Sequence, residues 1–422
     1  MASNTNIQVS SLDFADIKQN FINYLQSQNT FKDYNFTGSA MSTLLDILAY
    51  NTVYNGFYLN MVANEMFLDS ALQRSSVVSH AKLLNYVPQS ASGAVALINL
   101  TFNGVTTSTF TLPKYTNFMS EAVNGVNYNY VTTDSSIVSV TNGQAIINGV
   151  EIKQGLQQSY AFTVNSTTNP RYIFEIPDSG IDTSTMVVSV QQSSTNNSTQ
   201  VFSPTTDYLA LTPTSAVYFL QEASDSNYQI YFGDGVLGQQ LQDGNIVNVN
   251  YITTKGSAGG LANSFILTDS VGSYTSVSVT TYQQASQGAD KESIDSIKYQ
   301  APKAFAAQGR AVSKNDYITA LQQNNLGIQF DAVSVWGGEE NNPPVYGQVF
   351  ISVKPAGAYD LTQAQKNMIV NQVLKPISVV TVEPTLVDPQ YTFIQVNADV
   401  IYQQSQTPMS PSMFRIWDLR IN

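Results

Sequence analysis

The sequence predicts an α+β chain of several domains: an N-terminal helical segment, β-rich middle modules, and a C-terminal α+β unit. Three observations carry this. Apolar residues recur at helical spacing through the first 90 residues, the period shortens to two at Ala91-Ser-Gly93, and composition shifts again after Gln287-Gly288. The expected divisions are residues 1–90, 91–287, 288–404 and a short tail, 405–422. The 422 residues are enough for about two to four domains with substantial cores.

In the first segment, Phe14, Ile17, Phe21, Ile22 and Leu25 share a helix face, with Ser11 or Asp13 placed to cap it. A turn around Phe36-Thr37-Gly38-Ser39 leads into a longer helix striped by Leu44, Leu45, Leu48, Thr52 and Tyr58. A third helix is expected over Asp69 to Leu84, ending before Pro88. Three helices this rich in aromatic residues cannot all shield one another, so part of the apolar surface is expected to pack on another chain. An ordinary intramolecular three-helix unit is the competing reading. The residues expected at a partner contact are Phe14, Ile17, Phe21, Leu44, Leu48 and Tyr58.

From Val95 the pattern alternates, with Ala96, Ile98, Leu100 and Phe102 on one face. Short strands follow at Tyr128 to Thr132, Ile137 to Val140, Ala161 to Val164, Met186 to Gln191, Val217 to Leu220 and Tyr228 to Phe232. Turn residues between them fit sandwich or barrel-like modules. Residues Ser193 to Gln200 read as an exposed polar loop. Beyond Gly288, helices are expected over Glu292 to Gln308 and, capped by Ser313, to Asn324. Strands Ala332 to Trp336 and Gln348 to Lys354, a helix Thr362 to Leu374, and strands Val379 to Val387 and Thr392 to Tyr402 then give strand, strand, helix, strand, strand. One helix layered on a sheet is the expected form.

Composition narrows the function. Charged residues make up 11% of the chain, against roughly 25% in ordinary soluble proteins. Asn, Gln, Ser, Thr and 24 tyrosines supply the polarity instead, which suits a surface that becomes interface or reflects a habit of the lineage. A net charge of −12 without any Lys/Arg cluster speaks against nucleic acid as a partner. With no cysteine there are no disulfides or cysteine-based zinc sites, and the compartment stays open. Met-Ala-Ser-Asn-Thr-Asn lacks the basic and apolar regions of a signal peptide, and the sequence contains no apolar run of about 18 residues to span a membrane.

Candidate chemistry is sparse. The one histidine, His80, lies beside Val77, Val78, Ala81 and Leu84 and reads as a packing or surface residue. It makes a transition-metal site or a Ser-His-Asp triad improbable. Glu339-Glu340 stand in a Gly- and Pro-flanked hairpin loop, and Asp290, Glu292 and Asp295 surround a helix start, where anions meet the helix dipole. The run Tyr231-Phe232-Gly233-Asp234-Gly235, with Gly238, Asp243-Gly244 and Gly256 to Gly260, first suggests a phosphate loop. The alternating Asn245 to Ile252 that follows suggests strand, glycine turn, strand, so Gly233, Asp234 and Gly235 are expected to make a structural hairpin turn. Arg310, between two helices, is expected to clamp a carboxylate or carbonyls and fix their angle. No catalytic, cofactor-binding or metal-ligating residue is assigned.

The Phe-Gly-Asp-Gly run around Asp234, with Gly238, Gly256 and Gly259, resembles the motif of baseplate J-type proteins of contractile phage tails, as does Asp290 through Tyr317. The N-terminal stretches Phe14 to Phe21, Phe31 to Phe36, Leu45 to Thr52, Leu72 to Val78 and Asn85-Tyr-Val-Pro88 resemble the baseplate wedge subunit of T-even-type myophages, the gene-six product. The likeness is collinear from about residue 12 to about 403. It implies a non-enzymatic virion protein of the tail baseplate, assembled in the host cytoplasm. Its partners would be a second copy, other wedge proteins through a shared helical bundle, and neighbouring wedges joined in a ring that changes shape on sheath contraction. Members of that family continue past the Asp399 to Tyr402 strand. Met413 to Asn422 lies outside the likeness, with Phe414, Ile416 and Trp417 forming either an apolar docking tail or the end of a shortened product. Two other classes compete: a receptor-binding tail adhesin, for which stalk-forming repeats are missing, and a tail-associated glycan hydrolase using carboxylates such as Glu339.

Overall fold

The computed structural model describes residues 13–28, 34, 38–205, 211–223, 225–272, 274, 277–323, 326 and 328–392. The predicted turn at Phe36-Thr37, the predicted strand Thr392 to Tyr402 beyond its first residue, and the tail 405–422 lie outside them. Within them the chain is an α+β molecule with a helical N-terminal segment, a β-rich middle and a C-terminal α+β unit.

Helix α1, Phe14–Gln26, starts at Asp13, whose carboxylate accepts from the amides of Ala15 (2.8 Å) and Asp16 (3.1 Å). Helix α2, Ala40–Glu65, is capped by Ser39 and pairs with α1, with Lys18 and Asp46 2.5 Å apart. Helix α3 is shorter than the sequence suggests, Arg74–Leu83 instead of Asp69 to Leu84. The Glu65 carboxylate at the end of α2 accepts from the amides of Leu72 (2.9 Å) and Gln73 (3.2 Å), holding that segment out of the helix. His80 Nε2 lies 2.9 Å from the Glu65 carbonyl oxygen and secures the same corner.

The middle region holds two β modules, one inserted in the other. The first begins with β1 Val95–Asn103, β2 Thr109–Leu112, β3 Asn117–Ser120, β4 Asn129–Thr132, β5 Ser136–Ser139 and β6 Gln144–Gln154. The chain then leaves to build the second: β7 Leu156–Thr163, β8 Ile173–Ile176, β9 Ile181–Gln191, β10 Thr199–Pro204, β11 Val217–Glu222, β12 Tyr228–Phe232 and β13 Ile246–Thr253. It returns with β14 Phe265–Leu267 and β15 Val277–Ser286, completing a sheet of order β14-β3-β4-β6-β1-β15. Backbone bonds between Leu261, Ala262 and Ala285 bring the two edges of that sheet together, curling it into a barrel-like form. Ala96, Ile98, Leu100 and Phe102, the face read from the sequence, fill its interior with Phe110, Phe118, Tyr130 and Ile152. The second module's sheet runs β7-β13-β9-β10-β11-β12-β8 over Phe174, Ile176, Val188, Tyr218, Tyr228, Ile230 and Val249.

The crossing between modules is tight. Gly155 has φ +140°, and a Cβ there would lie 2.4 Å from the Thr253 carbonyl oxygen of the returning strand. Gln154 Oε1 accepts from Thr254 Oγ1 (2.6 Å) and the Lys255 amide (3.0 Å), while Gly259 packs against the Gln154 side chain. Gly155→Ala combines a forbidden backbone region with a backbone clash, so a loss of at least about 2 kcal/mol is expected in urea unfolding.

After α4, Ile294–Ala307, and α5, Lys314–Gln322, come β16 Phe330–Gly337 and β17 Gln348–Pro355. Helix α6, Gln363–Ile369, continues through a π-turn at Val370–Leu374, and β18 Glu383–Val387 follows. The predicted strand from Val379 starts only at Glu383, because the Val382 amide closes a turn onto the Val379 carbonyl. β16 and β17 are antiparallel and β18 joins β17 in parallel, with α5 and α6 supplying Tyr317, Leu321 and Ile369 to their core. Ser313 caps α5 in a reciprocal capping box with Asp316. The expected division between residues 287 and 288 runs beside a shared core: Ile297 and Ala301 of α4 pack on Ala71, Val77, Val78, Ala81 and Tyr86.

Candidate partner interface

Helix α2 has 26 residues and extends about 39 Å. Only Ser42, Leu45, Ala49 and Asn60 are buried along it. The stripe read from the sequence divides here, with Leu45 turned inward and Leu44, Leu48 and Tyr58 each 53% exposed. Ile47, Tyr50, Tyr54, Phe57, Leu59, Met61 and Val62 are exposed as well. At roughly 100° per residue, these side chains spread over an arc of roughly 200° opposite the buried positions. Tyr50, Tyr54 and Tyr58 form a ladder one turn apart, with the Tyr50 and Tyr54 hydroxyls 2.9 Å from each other and their rings edge to face at 4.6 Å. On α1, Phe14 is 39% exposed, whereas Ile17 and Phe21 are half-buried. A helix apolar around most of its girth normally lies inside a core. This one is covered on a single side.

Below α2 an arginine joins three parts of the molecule. Arg74, at the start of α3, donates from Nε and Nη2 to the two carboxylate oxygens of Glu222 on β11, at 2.6 and 2.9 Å, and from Nη1 to the Glu292 carbonyl ahead of α4. The Glu222 side chain is fully buried. Lys82 and Lys291 stand near it with pKa values lowered by burial, against the opposing pull of the Glu222 charge. The Glu292 carboxylate accepts from Tyr86 Oη (2.8 Å), the Gln89 amide (3.0 Å) and Ser296 Oγ (2.6 Å). Burial first, and then the Glu292 charge, push the Tyr86 phenol far above its ordinary range.

That is the clamp expected of Arg310, which does not make it. Arg310 is exposed and donates to Gln308 two residues away, because its own turn after α4 points the chain outward through Gln308 and Gly309 at positive φ. Nothing in the sequence pointed to Arg74 beyond its being the sole arginine of the first 170 residues, because its partners lie far along the chain.

The predicted glycine hairpin is also corrected. β12 pairs with β11 and β8, while β13 pairs with β7 and β9, so the strands flanking the run are not partners. The intervening loop gives its amides to another segment: Gly238 N–H donates to the Thr212 carbonyl (3.2 Å) and Gln239 N–H to that of Ser215 (2.8 Å). The turn chemistry itself is present. Asp234 accepts from the amides of Leu237 and Val236, both at 2.9 Å, and these bonds hold its carboxyl below the usual range. Gly235 adopts φ +86°, and a Cβ on Gly233 would lie 2.3 Å from the Gly238 backbone. Asp290 is likewise committed, accepting from the Ser257 amide and hydroxyl (3.1 and 3.0 Å). Among the described residues no group of three or more His, Asp or Glu side chains is placed to hold a metal ion, and no helix is long and apolar enough to cross a membrane.

Two family models match the chain. Residues 13–86 match the helical domain of gp6-like baseplate wedge proteins, and residues 313–387 match C-terminal domain I of the baseplate structural protein gp6. The chain is 29% identical over 414 residues to baseplate wedge protein gp6 of Enterobacteria phage T4, covering 92% of this chain. The chain is thus similar to gp6-type baseplate wedge proteins. It spans 60% of the length of that T4 protein. The first gp6-type match contains α1, α2, α3 and Tyr86; the second opens on the Ser313 cap and closes at the end of β18. Among solved structures, the baseplate of the anti-feeding prophage aligns over 90% of this chain and 71% of its own at 13% identity and a TM-score of 0.32. The TssK-TssF-TssG baseplate subcomplex of a type VI secretion system aligns over 80% and 96% at 8% identity and a TM-score of 0.36. Likeness of that degree does not bear on function.

Proposed function

We propose that this chain is a structural subunit of a contractile-tail baseplate wedge in the virion, assembled in the host cytoplasm and working by association, with no catalytic step. Its partners are a second copy of itself and other wedge proteins, met through a shared helical bundle, and neighbouring wedges, met through the remaining domains to form a ring that rearranges on sheath contraction. The observation that carries this is α2, whose apolar arc is covered on one side only. The matches to gp6-type domains support the class of protein.

The test replaces Leu48 and Tyr58, both exposed, with aspartate. Each apolar side chain buried in a bundle is worth about 1.5–3 kcal/mol, and a buried charge adds to the cost. Co-purification with co-expressed wedge partners is therefore expected to weaken at least about a hundredfold, while circular dichroism and the melting of the β modules stay unchanged. Undiminished co-purification of the double variant would remove the bundle from the proposal.

A further inference from the structure

Strand β7 ends the seven-stranded sheet, with β13 as its one neighbour among the described residues. Seven of its eight residues are exposed, and Phe162 is half-buried. The Val164 amide just past its end donates inward to the Asn245 carbonyl (2.8 Å), whereas the Gly155 amide just before its start donates outward to Asn129 of the first module (2.8 Å). By the alternation of an antiparallel ladder, the N–H and C=O groups of Gln157, Ser159, Ala161 and Thr163 therefore point away from β13, and no described strand pairs with them. An open edge of this kind is a template for another strand, and proteins ordinarily blunt it with charge, proline or short length. The other open edges here are blunted in that way. β8, at the far end of the same sheet, has four residues with Glu175 among them and Pro177 after them. β16 and β18, the edges of the C-terminal sheet, carry Asp331 and Glu383-Pro384. β7 has no such guard: residues 154–170 contain neither a charge nor, before Pro170, a proline, and β13 beside it is also uncharged.

We infer that β7 pairs with β7 of a second copy of this chain, antiparallel about a two-fold axis at Tyr160. The four outward residues are centred on position 160, so this register uses all of them: Gln157 of each copy meets Thr163 of the other, and Ser159 meets Ala161. Tyr160 then faces itself in a pair without hydrogen bonds, where opposed side chains lie closest. Its ring, 40% exposed, already stands 4.9 Å from that of Phe162, which stands 5.2 Å from Phe174. Pairing joins this aromatic row to its own image across the axis. Charge selects a second copy as the occupant. A chain of net charge −12 repels its like over most approaches, and these two uncharged outer strands meet without that cost. Closure selects it too, because a two-fold contact consumes both open edges and leaves the guarded β8 outermost, so growth stops at two. The surface is separate from α2 and adds a sheet-to-sheet contact to the helical one.

The full chain carrying Leu48→Asp and Tyr58→Asp, which silence α2, isolates this contact. Sedimentation equilibrium is expected to show monomer and dimer exchanging between about 1 μM and 1 mM. Tyr160→Lys opposes two ammonium groups at the axis and should raise the dissociation constant at least about tenfold; Tyr160→Glu should do the same, and mixing the two variants should restore the dimer. The register has its own readout, since the chain has no cysteine. Tyr160→Cys places the two thiols on backbones about 4.5 Å apart, within disulfide reach, whereas Gln157→Cys leaves them about 20 Å apart. Mild oxidation should therefore link Tyr160→Cys chains and spare Gln157→Cys chains. A chain that stays monomeric up to 1 mM would overturn the inference and give the edge to a strand of another protein. Equal cross-linking at both positions, or an unchanged dissociation constant in both charged variants, would overturn it as well. Because α2 is silenced throughout, a failure here leaves the helical-bundle proposal standing, and loss of that proposal leaves the β7 dimer measurable.

Discussion

Arg74→Ala is expected to cost about 3–5 kcal/mol and to release α3 from the second β module. The asymmetry of the pair sets the order of effects: the Glu222 side chain is fully buried, whereas that of Arg74 is 19% exposed. Removing the arginine strands a carboxylate away from water, with Lys82 and Lys291 as its remaining cations. Removing Glu222 leaves a guanidinium that can turn toward solvent, so Glu222→Ala should cost less. Arg74→Lys should rescue little, because three bonds diverge from one planar fork to Glu222 and the Glu292 carbonyl. Native-state hydrogen exchange of the α3 amides gives the readout. Protection in α3 equal to wild type in Arg74→Ala would show that apolar packing of Val77, Val78 and Ala81 on α4 suffices by itself.

The second large effect lies where the two β modules meet. Lys153 and Asp182 form a pair 2.7 Å apart with side chains 6% and 1% exposed. Asp182 further accepts from the Gly93 amide (3.1 Å) and from the Ser184 amide and hydroxyl (3.1 and 2.5 Å). Asp182→Ala leaves a buried ammonium with Ser184 Oγ, at 3.1 Å, as its remaining recorded partner, and a loss of about 3–5 kcal/mol is expected. Combining it with Lys153→Met should restore part of that loss, since an apolar replacement of both charges removes the stranded ion. Urea unfolding of the two single variants and the double variant measures the coupling. Additive losses would mean that the ion pair holds nothing that Gln154 and the glycines at the crossing do not already hold.

Period and turn chemistry made much of the fold legible. Alternation from Val95 identified the face that fills the first barrel-like module, and Ser313 followed by Asp316 marked the start of α5. Pairing was not legible, because alternation says which way a side chain points and not which strand lies beside it. Tyr228 to Phe232 and Asn245 to Ile252 read as neighbours through a short glycine-rich link, yet the Thr212 to Ser215 segment captures the amides of that link. The insertion escaped notice for the same reason, since β14 and β15 look like any other strands until β1 is found beside β15. At the candidate interface the sequence named Leu44, Leu48 and Tyr58 from a single stripe. It passed over Tyr50, Tyr54 and Phe57, because a residue on the far side of an amphipathic helix is ordinarily assigned to solvent. Arg310 drew notice by its place between two helices; Arg74 holds that office through contacts 148 and 218 residues away, which no local pattern records.

The nesting of one β module inside the other has a consequence for the order in which the protein matures on the ribosome. The inner module is one uninterrupted stretch, from Leu156 to Thr253, and can close as soon as it has emerged. The outer one is translated in two instalments, and its β1 waits for β15 while the whole inner unit is made. Until then β1 and β14's partner β3 present bare edges to the cell. The asparagine-, serine- and threonine-rich, charge-poor character of the chain therefore matters before assembly as well as after it, at the stage when an unfinished barrel must stay single while its last strands are still being added.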